Sequence, residues 1–235
     1  PAGGRGCQMS ERPILMNTDM VRAILEGRKT VTRRVVKLKY GNTHLEMRTN
    51  KYGTRLVEVQ NEEPGVTTVK TPDGTTMHRL LACIEKEPPY KPGDILWVRE
   101  TWCESMGQAG KYFYRAYAGP RDEMKEYAHS FNRWRPSIHM PRKAARIFLR
   151  VTEVRAERLQ SINSQGAYDE GAVKKPHFIR CGGELCLALH GRYRDDFAAV
   201  WDNTIRPADR AAYGWEANPW VWVISFERIS EEGNQ

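Results

Sequence analysis

No stretch of this sequence approaches the ~20 consecutive apolar residues of a membrane-spanning helix, so none is expected. No secretory signal is visible either: Pro1 to Gln8 is Gly-rich and basic and has no apolar core. Residues 1–11 are expected to be disordered or extraneous, because Met9-Ser10-Glu11 reads like a native start, and residues 230–235 are expected to form a tail. Internal repeats and long low-complexity tracts are absent. Cysteine is sparse and odd in number, five in 235 residues. With no signal peptide, that count fits a reducing cytoplasm and argues against a disulfide scaffold. Acidic side chains are also short, 29 against 37 Lys plus Arg, for a net charge of +8. A hydrophobic share of 40% argues against a wholly disordered chain.

The basic excess is concentrated. Residues 22–39 carry seven basic side chains and one acid, and residues 133–158 carry eight and two. Fifteen basic against three acidic groups give these segments +12, leaving 22 against 26, or −4, elsewhere. Converging basic segments suggest a polyanionic partner, most simply nucleic acid; solvated strand faces are the plainer alternative.

Pattern places the elements. Residues 13–16 begin a strand, and Asn17 or Thr18 caps a short helix carrying Val21, Ile24 and Leu25 on one face, with Gly27 at its stop. Thr30 to Val36 is rich in β-branched residues and reads as a strand. Turn signals punctuate residues 40–92, an excursion of hairpins rather than a second domain. Asp94 to Trp102 and Tyr112 to Tyr117 read as strands. Residues 118–145 read as loop, and Pro136 and Pro141 forbid regular structure near their end. Arg146 to Val154 alternates like a strand, Ser164 caps a helix ending at Glu170-Gly171, and residues 172–186 read as loop. Leu189, Tyr193, Phe197, Val200, Trp201 and Ile205 form a helical stripe closed by Pro207. Pro219 to Ile229 is apolar on both faces, as a central strand requires. Short helices among five or six strands predict a mixed α+β fold built on a small barrel.

Four residues invite a metal reading. His177, Cys181, Cys186 and His190 are legitimate zinc ligand types. Their spacing is not one of the common structural-zinc spacings, and packed thiols with surface histidines are the alternative. No other cofactor is expected.

The run Ile24-Leu25-Glu26-Gly27-Arg28-Lys29-Thr30-Val31-Thr32-Arg33-Arg34 resembles the opening signature of the ASCH domain, a branch of the PUA-like fold. Tyr90-Lys91-Pro92-Gly93-Asp94-Ile95-Leu96, Val151-Thr152-Glu153-Val154 with Leu159, Ile162 and Glu170, and Val221 to Phe226 agree in order and type. The run Trp134 to Arg142 is similar to a loop of larger ASCH-like proteins of bacteriophages and prophages. The resemblance implies a single domain over residues 12–229, a PUA-like barrel with short flanking helices. Insertions fall near 40–90, 103–145 and 172–190. It also implies a cleft that takes a nucleobase or nucleoside. Small bacterial acetylcytidine amidohydrolases of the group use a Lys, a Thr three residues later, and a Glu. Lys29, Thr32 and Glu170 match them, and Arg34 falls where the signature carries an Arg.

The chemistry is coherent. A threonine hydroxyl needs a base, and Lys29 serves if burial and the cations Arg28, Arg33 and Arg34 depress its pKa. Glu170 then holds the lysine or shuttles a proton. Residues three apart in a strand face opposite ways, so Lys29 meets Thr32 only if it lies in the turn after Gly27. The alternatives for the trio, in order, are nucleotide-binding residues without turnover and structure alone. In the loop, Arg135 and Arg142 suit phosphate, Trp134 suits a base, and His139 suits a proton or hydrogen bond. Two functions remain: hydrolysis of an acyl amide on a modified cytosine, or a non-catalytic RNA- or DNA-binding module or ribonuclease. The expected partner is a modified nucleoside or nucleic acid, RNA ahead of DNA, in a cytoplasm.

Overall fold

The computed structural model describes residues 10–51, 53–61, 68–70, 76–78, 83–117, 133–173, 177–181, 184–188 and 193–229. The fold is mixed α+β. Strand β1 (Glu11–Leu15) leads into helix α1 (Thr18–Leu25), where the Asn17 side chain accepts the Met20 N–H at 2.8 Å as an N-cap. The helix buries Val21, Ala23 and Ile24 and ends on Gly27 at φ +74°. Strand β2 (Val31–Val35) follows.

The hairpin excursion is present. Strands β3 (Thr43–Asn50) and β4 (Gly53–Gln60) pair antiparallel, β5 (Thr68–Lys70) pairs β6 (Thr76–His78), and β7 (Cys83–Glu85) returns to β4. Glu58 of β4 is sealed at its centre. Burial pushes its carboxyl pKa up, but Lys86, the Lys39 and Tyr40 N–H groups and the Thr43 hydroxyl, all within 2.9 Å, hold it down at about 2.

Asp94 to Trp102 is not one strand. It breaks into β8 (Ile95–Arg99) and β9 (Trp102–Glu104), and β9 pairs β10 (Tyr112–Tyr114) in a separate ribbon. The break falls at Glu100, which continues the inward parity of Leu96 and Val98 but is a carboxylate. Arg146 clamps it through two hydrogen bonds of 2.9 Å, and its own N–H donates to the Met140 sulfur. Strand β11 (Phe148–Arg158) starts and ends later than the sequence suggests and carries an irregularity between Val151 and Glu153. Helix α2 (Ser164–Asp169) is capped by Asn163, one residue before the predicted Ser164. Part of the segment read as loop is a hairpin, β12 (His177–Cys181) with β13 (Glu184–Ala188). Helix α3 (Tyr193–Thr204) buries Phe197 and Trp201; Leu189 lies outside the described residues. Pro207 opens a 3-10 turn, and α4 (Arg210–Tyr213) precedes β14 (Trp220–Ile229).

The main sheet runs β1-β8-β11-β14-β2, with β1 parallel to β8 and the other pairs antiparallel. Strand β14 is central, as its two apolar faces require. Trp222, Ile224 and Phe226 join one core with α1 and β8, while Val221 and Val223 join a second under α2 and α3. No ladder joins β1 to β2 among the described residues. A side chain reaches across instead: Arg34 of β2 donates to the Leu15 carbonyl at 2.8 Å, while Tyr90, ahead of β8, donates to that of Pro13 at 3.1 Å. These donors satisfy edge carbonyls that would otherwise invite another strand. No helix among the described residues is long and apolar enough to cross a membrane.

Glu58 makes a pH-dependent contribution. Its carboxyl binds a proton more weakly in the folded chain, so stability rises with pH between about 2 and 4.5. Urea unfolding of wild type and Glu58→Gln should differ by about 3 kcal/mol near neutrality. The gap should close as pH falls through that window.

Candidate functional site

The turn after α1 brings the first set together. Beyond Gly27, the N–H groups of Arg28 and Lys29 both donate to the Ala23 carbonyl, folding the chain back under the helix. The Thr30 N–H donates to the Asp169 carbonyl at 2.9 Å, stitching this turn to the end of α2. The Lys29 side chain is thereby sealed, with no solvent exposure. Its Nζ donates to the Val31 carbonyl at 2.8 Å, the Glu170 carbonyl at 2.8 Å and Glu170 Oε2 at 2.6 Å. Burial pushes the lysine pKa down, Glu170 opposes this, and Arg34 and Arg33 push the same way as burial.

Glu170 also binds Arg33, whose Nη1 donates to Oε1 at 3.2 Å. Arg33 Nη2 lies 3.6 Å from Glu157, and its buried Nε has no partner among the described residues. An acid at a helix C-terminus faces an unfavourable dipole; two cations offset it here. Gly171 follows at φ +87°, and a Cβ there would lie 2.8 Å from that of Ala23 and 3.4 Å from that of Lys29. Only glycine fits this crossing without displacing the lysine's surroundings.

Thr32 stands apart. It pairs with Ile224, which faces the first core, whereas Arg33 pairs with Val223, which faces the second. The buried threonine thus lies on the opposite face of β2 from the ion cluster. Lys29 does lie in the turn, but its three protons are directed at other acceptors. Glu170 lines a pocket of about 190 Å³ with Asn17, Met20, Phe197 and Val200, and the carboxylates Asp19 and Asp196 at its wall. Arg28 pairs with Glu26 at 2.5 Å and donates to the Gly171 carbonyl.

A larger and open cleft, about 630 Å³, lies between β9 and the segment 133–139. Its lining includes Arg133, Arg135 and His139 with Glu104 and Ser105. Backbone bonds hold the segment to β9: the Arg135 N–H donates to the Trp102 carbonyl at 2.7 Å and the reverse bond is 3.3 Å. The Arg135 guanidinium lies 5.2 Å from the Trp102 ring centroid. Cys103 lines the floor, where burial pushes its thiol up to about 11, so it is not a nucleophile at neutral pH. Of the residues singled out in the sequence, Arg135 and His139 meet here. Trp134 is half-buried under Arg115, and Arg142 is paired with Glu11 at 2.9 and 3.1 Å and stacked on Phe148.

Sequence reasoning did not single out Arg133, Glu104 or Ser105. Arg133 opens the second basic segment, but the pairing that sets it beside β9 has no local signal. Of the zinc candidates, His190 lies outside the described residues. The other three lie on the β12–β13 hairpin, with Cys181 opposite Glu184 and Cys186 opposite Ile179 in the backbone register. Among the described residues no metal-ligand cluster forms. Comparisons with family models, curated proteins and solved structures find no match for this chain.

Removing the ammonium would leave Glu170 buried against Arg33 alone. Lys29→Met is expected to destabilise the protein by about 3 kcal/mol, read as a lower urea midpoint. The double variant Lys29→Met/Glu170→Gln should recover part of that loss.

Proposed function

We propose that this chain binds a phosphate-bearing nucleotide, free or within a strand, in the cleft lined by Arg133, Arg135 and His139. One observation carries the reading. The two arginines face a solvent-open cleft and have no carboxylate partner among the described residues. The cleft's volume is within the ~300–1,000 Å³ of small-ligand sites. Ion pairs occupy Arg28, Arg33, Arg142, Arg146, Arg150 and Arg155 elsewhere in the two basic segments. The resemblance to ASCH proteins supports the same ligand class and places RNA ahead of DNA, with the protein acting in a cytoplasm. The reach of Arg34 across to Leu15 supports a PUA-like barrel as the architecture around it.

Binding of labelled oligonucleotide should weaken steeply with salt, as released counterions require. Arg133→Gln/Arg135→Gln should lower the salt slope by about 1.4, at ~0.7 per phosphate contact on a single strand. Arg142→Gln, already neutralised by Glu11, should leave the slope unchanged. Salt-independent binding would refute the proposal.

A second reading is favoured by a different contact. Lys29 and Glu170 meet at 2.6 Å across 141 residues of chain, and Glu170 also borders the 190 Å³ pocket. In this reading the protein hydrolyses the acyl amide of an N-acylated cytosine. Glu170 takes a proton from water and gives one to the departing ring amine, while Lys29 holds the carboxylate. Lys29 has no lone pair to offer Thr32 while its three protons are engaged, so water rather than Thr32 supplies the nucleophile. Wild type should release cytidine from N-acylated cytidines, and folded Glu170→Gln should not. An inactive wild type on a panel of acyl groups removes this reading.

A further inference from the structure

We infer that the cleft beside Trp102 takes unpaired nucleotides of a phosphodiester strand and rejects base-paired ones. This rests on the nucleotide-binding reading of that cleft and names its substrate.

Arg135 is the central group. Its backbone is fixed to β9 by the two hydrogen bonds with Trp102, and its guanidinium is laid over the indole, 5.2 Å from the centroid. The guanidinium is thus within cation–π distance of an aromatic ring. The residue is otherwise exposed, lines the cleft and has no ion pair among the described residues. A guanidinium plane backed by an aromatic ring is a platform on which a nucleobase stacks while its phosphate meets the same positive charge.

The surroundings repeat this pairing of cation and ring. Arg99 sits 5.5 Å from the Trp97 centroid and donates to the Ile138 carbonyl. Arg115 sits 5.6 Å from that of Trp134. Neither has a carboxylate partner among the described residues. Among the described residues Arg99, Arg115, Arg133 and Arg135 thus have no carboxylate partner; Arg133 and Arg135 line the cleft itself, and three of the four lie within about 6 Å of a tryptophan ring. Basic groups alternating with aromatic faces suit a strand whose bases are splayed, because every base has a face to stack.

Glu104 decides against a bare phosphate site. It lines the same cleft and accepts only a long bond from the Gly110 N–H, 3.3 Å, among the described residues. A carboxylate there repels phosphate but accepts the N–H groups of a base edge. In a duplex the base faces are stacked on one another, and only their edges reach the grooves. Presenting a face to Arg135 then requires unstacking, at a few kcal/mol per base.

The experiment is fluorescence anisotropy with short labelled oligonucleotides at fixed salt. The probes are single-stranded RNA and DNA, and duplexes of each. A single strand should bind about tenfold or more tightly than its duplex, the scale of base–side-chain stacking. Arg135→Lys keeps the charge and loses the plane. It should weaken single-strand binding about tenfold while leaving the salt slope as in wild type. Duplex bound as tightly as single strand, or Arg135→Lys binding like wild type, overturns this inference and leaves nucleotide binding standing. A mononucleotide such as AMP is added as a further probe, and no binding of any probe, AMP included, overturns both.

Discussion

A primary ammonium without water around it persists only where each of its three protons finds an acceptor. Lys29 meets that condition with one carbonyl at the start of β2 and two oxygens of a single residue at the end of α2. The consequence is geometric. The turn after Gly27, the first residue of β2 and the terminus of α2 are held to one position, because moving any of them strands a buried donor. Arg33 extends the constraint along β2 to Glu157 on β11. Helix α2 in turn carries Tyr168 edge-on against Tyr193 of α3, with ring centroids 5.4 Å apart. One lysine thus registers both layers that cover the second face of the sheet, and Gly171 supplies the clearance that lets α2 approach closely enough.

The same accounting changes the meaning of the net charge. The two basic segments look like a cationic coat in the sequence, but many of their arginines answer carboxylates, some on their own strand and some brought from elsewhere. Arg150 pairs across the β11–β14 ladder with Glu227, Arg155 holds Glu153 and Glu157 on its own strand, and Arg146 neutralises Glu100. The exposed pairs among these, Arg150 with Glu227 and Arg155 with Glu153, contribute little stability. Their effect is to remove charge from the long-range field. Among the described residues, Arg133 and Arg135 of the 133–139 segment keep their charge free of an ion pair and line one cleft.

Local chemistry made part of this legible. Asn17, the Val21–Ile24 face and Gly27 delimit α1 in the sequence as in the structure, because a cap and a stripe need only neighbours along the chain. The two-faced apolar run of β14 announced a central strand for the same reason. Contacts between distant segments carried no such signal. The parallel pairing of β1 with β8, the clamp of Arg142 by Glu11 and the bridge between Arg135 and Trp102 join residues far apart in sequence. Two buried carboxylates did leave a trace. Glu100 falls on the inward parity of Leu96 and Val98, and Glu58 interrupts Leu56-Val57-Glu58-Val59; a charge in an apolar register demands a partner. The Lys29–Glu170 meeting was suggested only by resemblance, since nothing in either segment alone points to the other.

The ion cluster is an expensive way to join three elements. Removing Lys29, Arg33 and Glu170 from water carries a desolvation penalty that well-packed apolar side chains of similar volume avoid, often with a gain in stability. An apolar trio would hold α2 against β2 equally well. It would not hold the carboxylate of a pocket-lining residue in a fixed orientation, with each oxygen engaged by a cation. Nor would it set a charged group on the second face of β2 while Thr32 and Arg34 project from the first. The feature that packing does not explain is therefore the oriented carboxylate of Glu170.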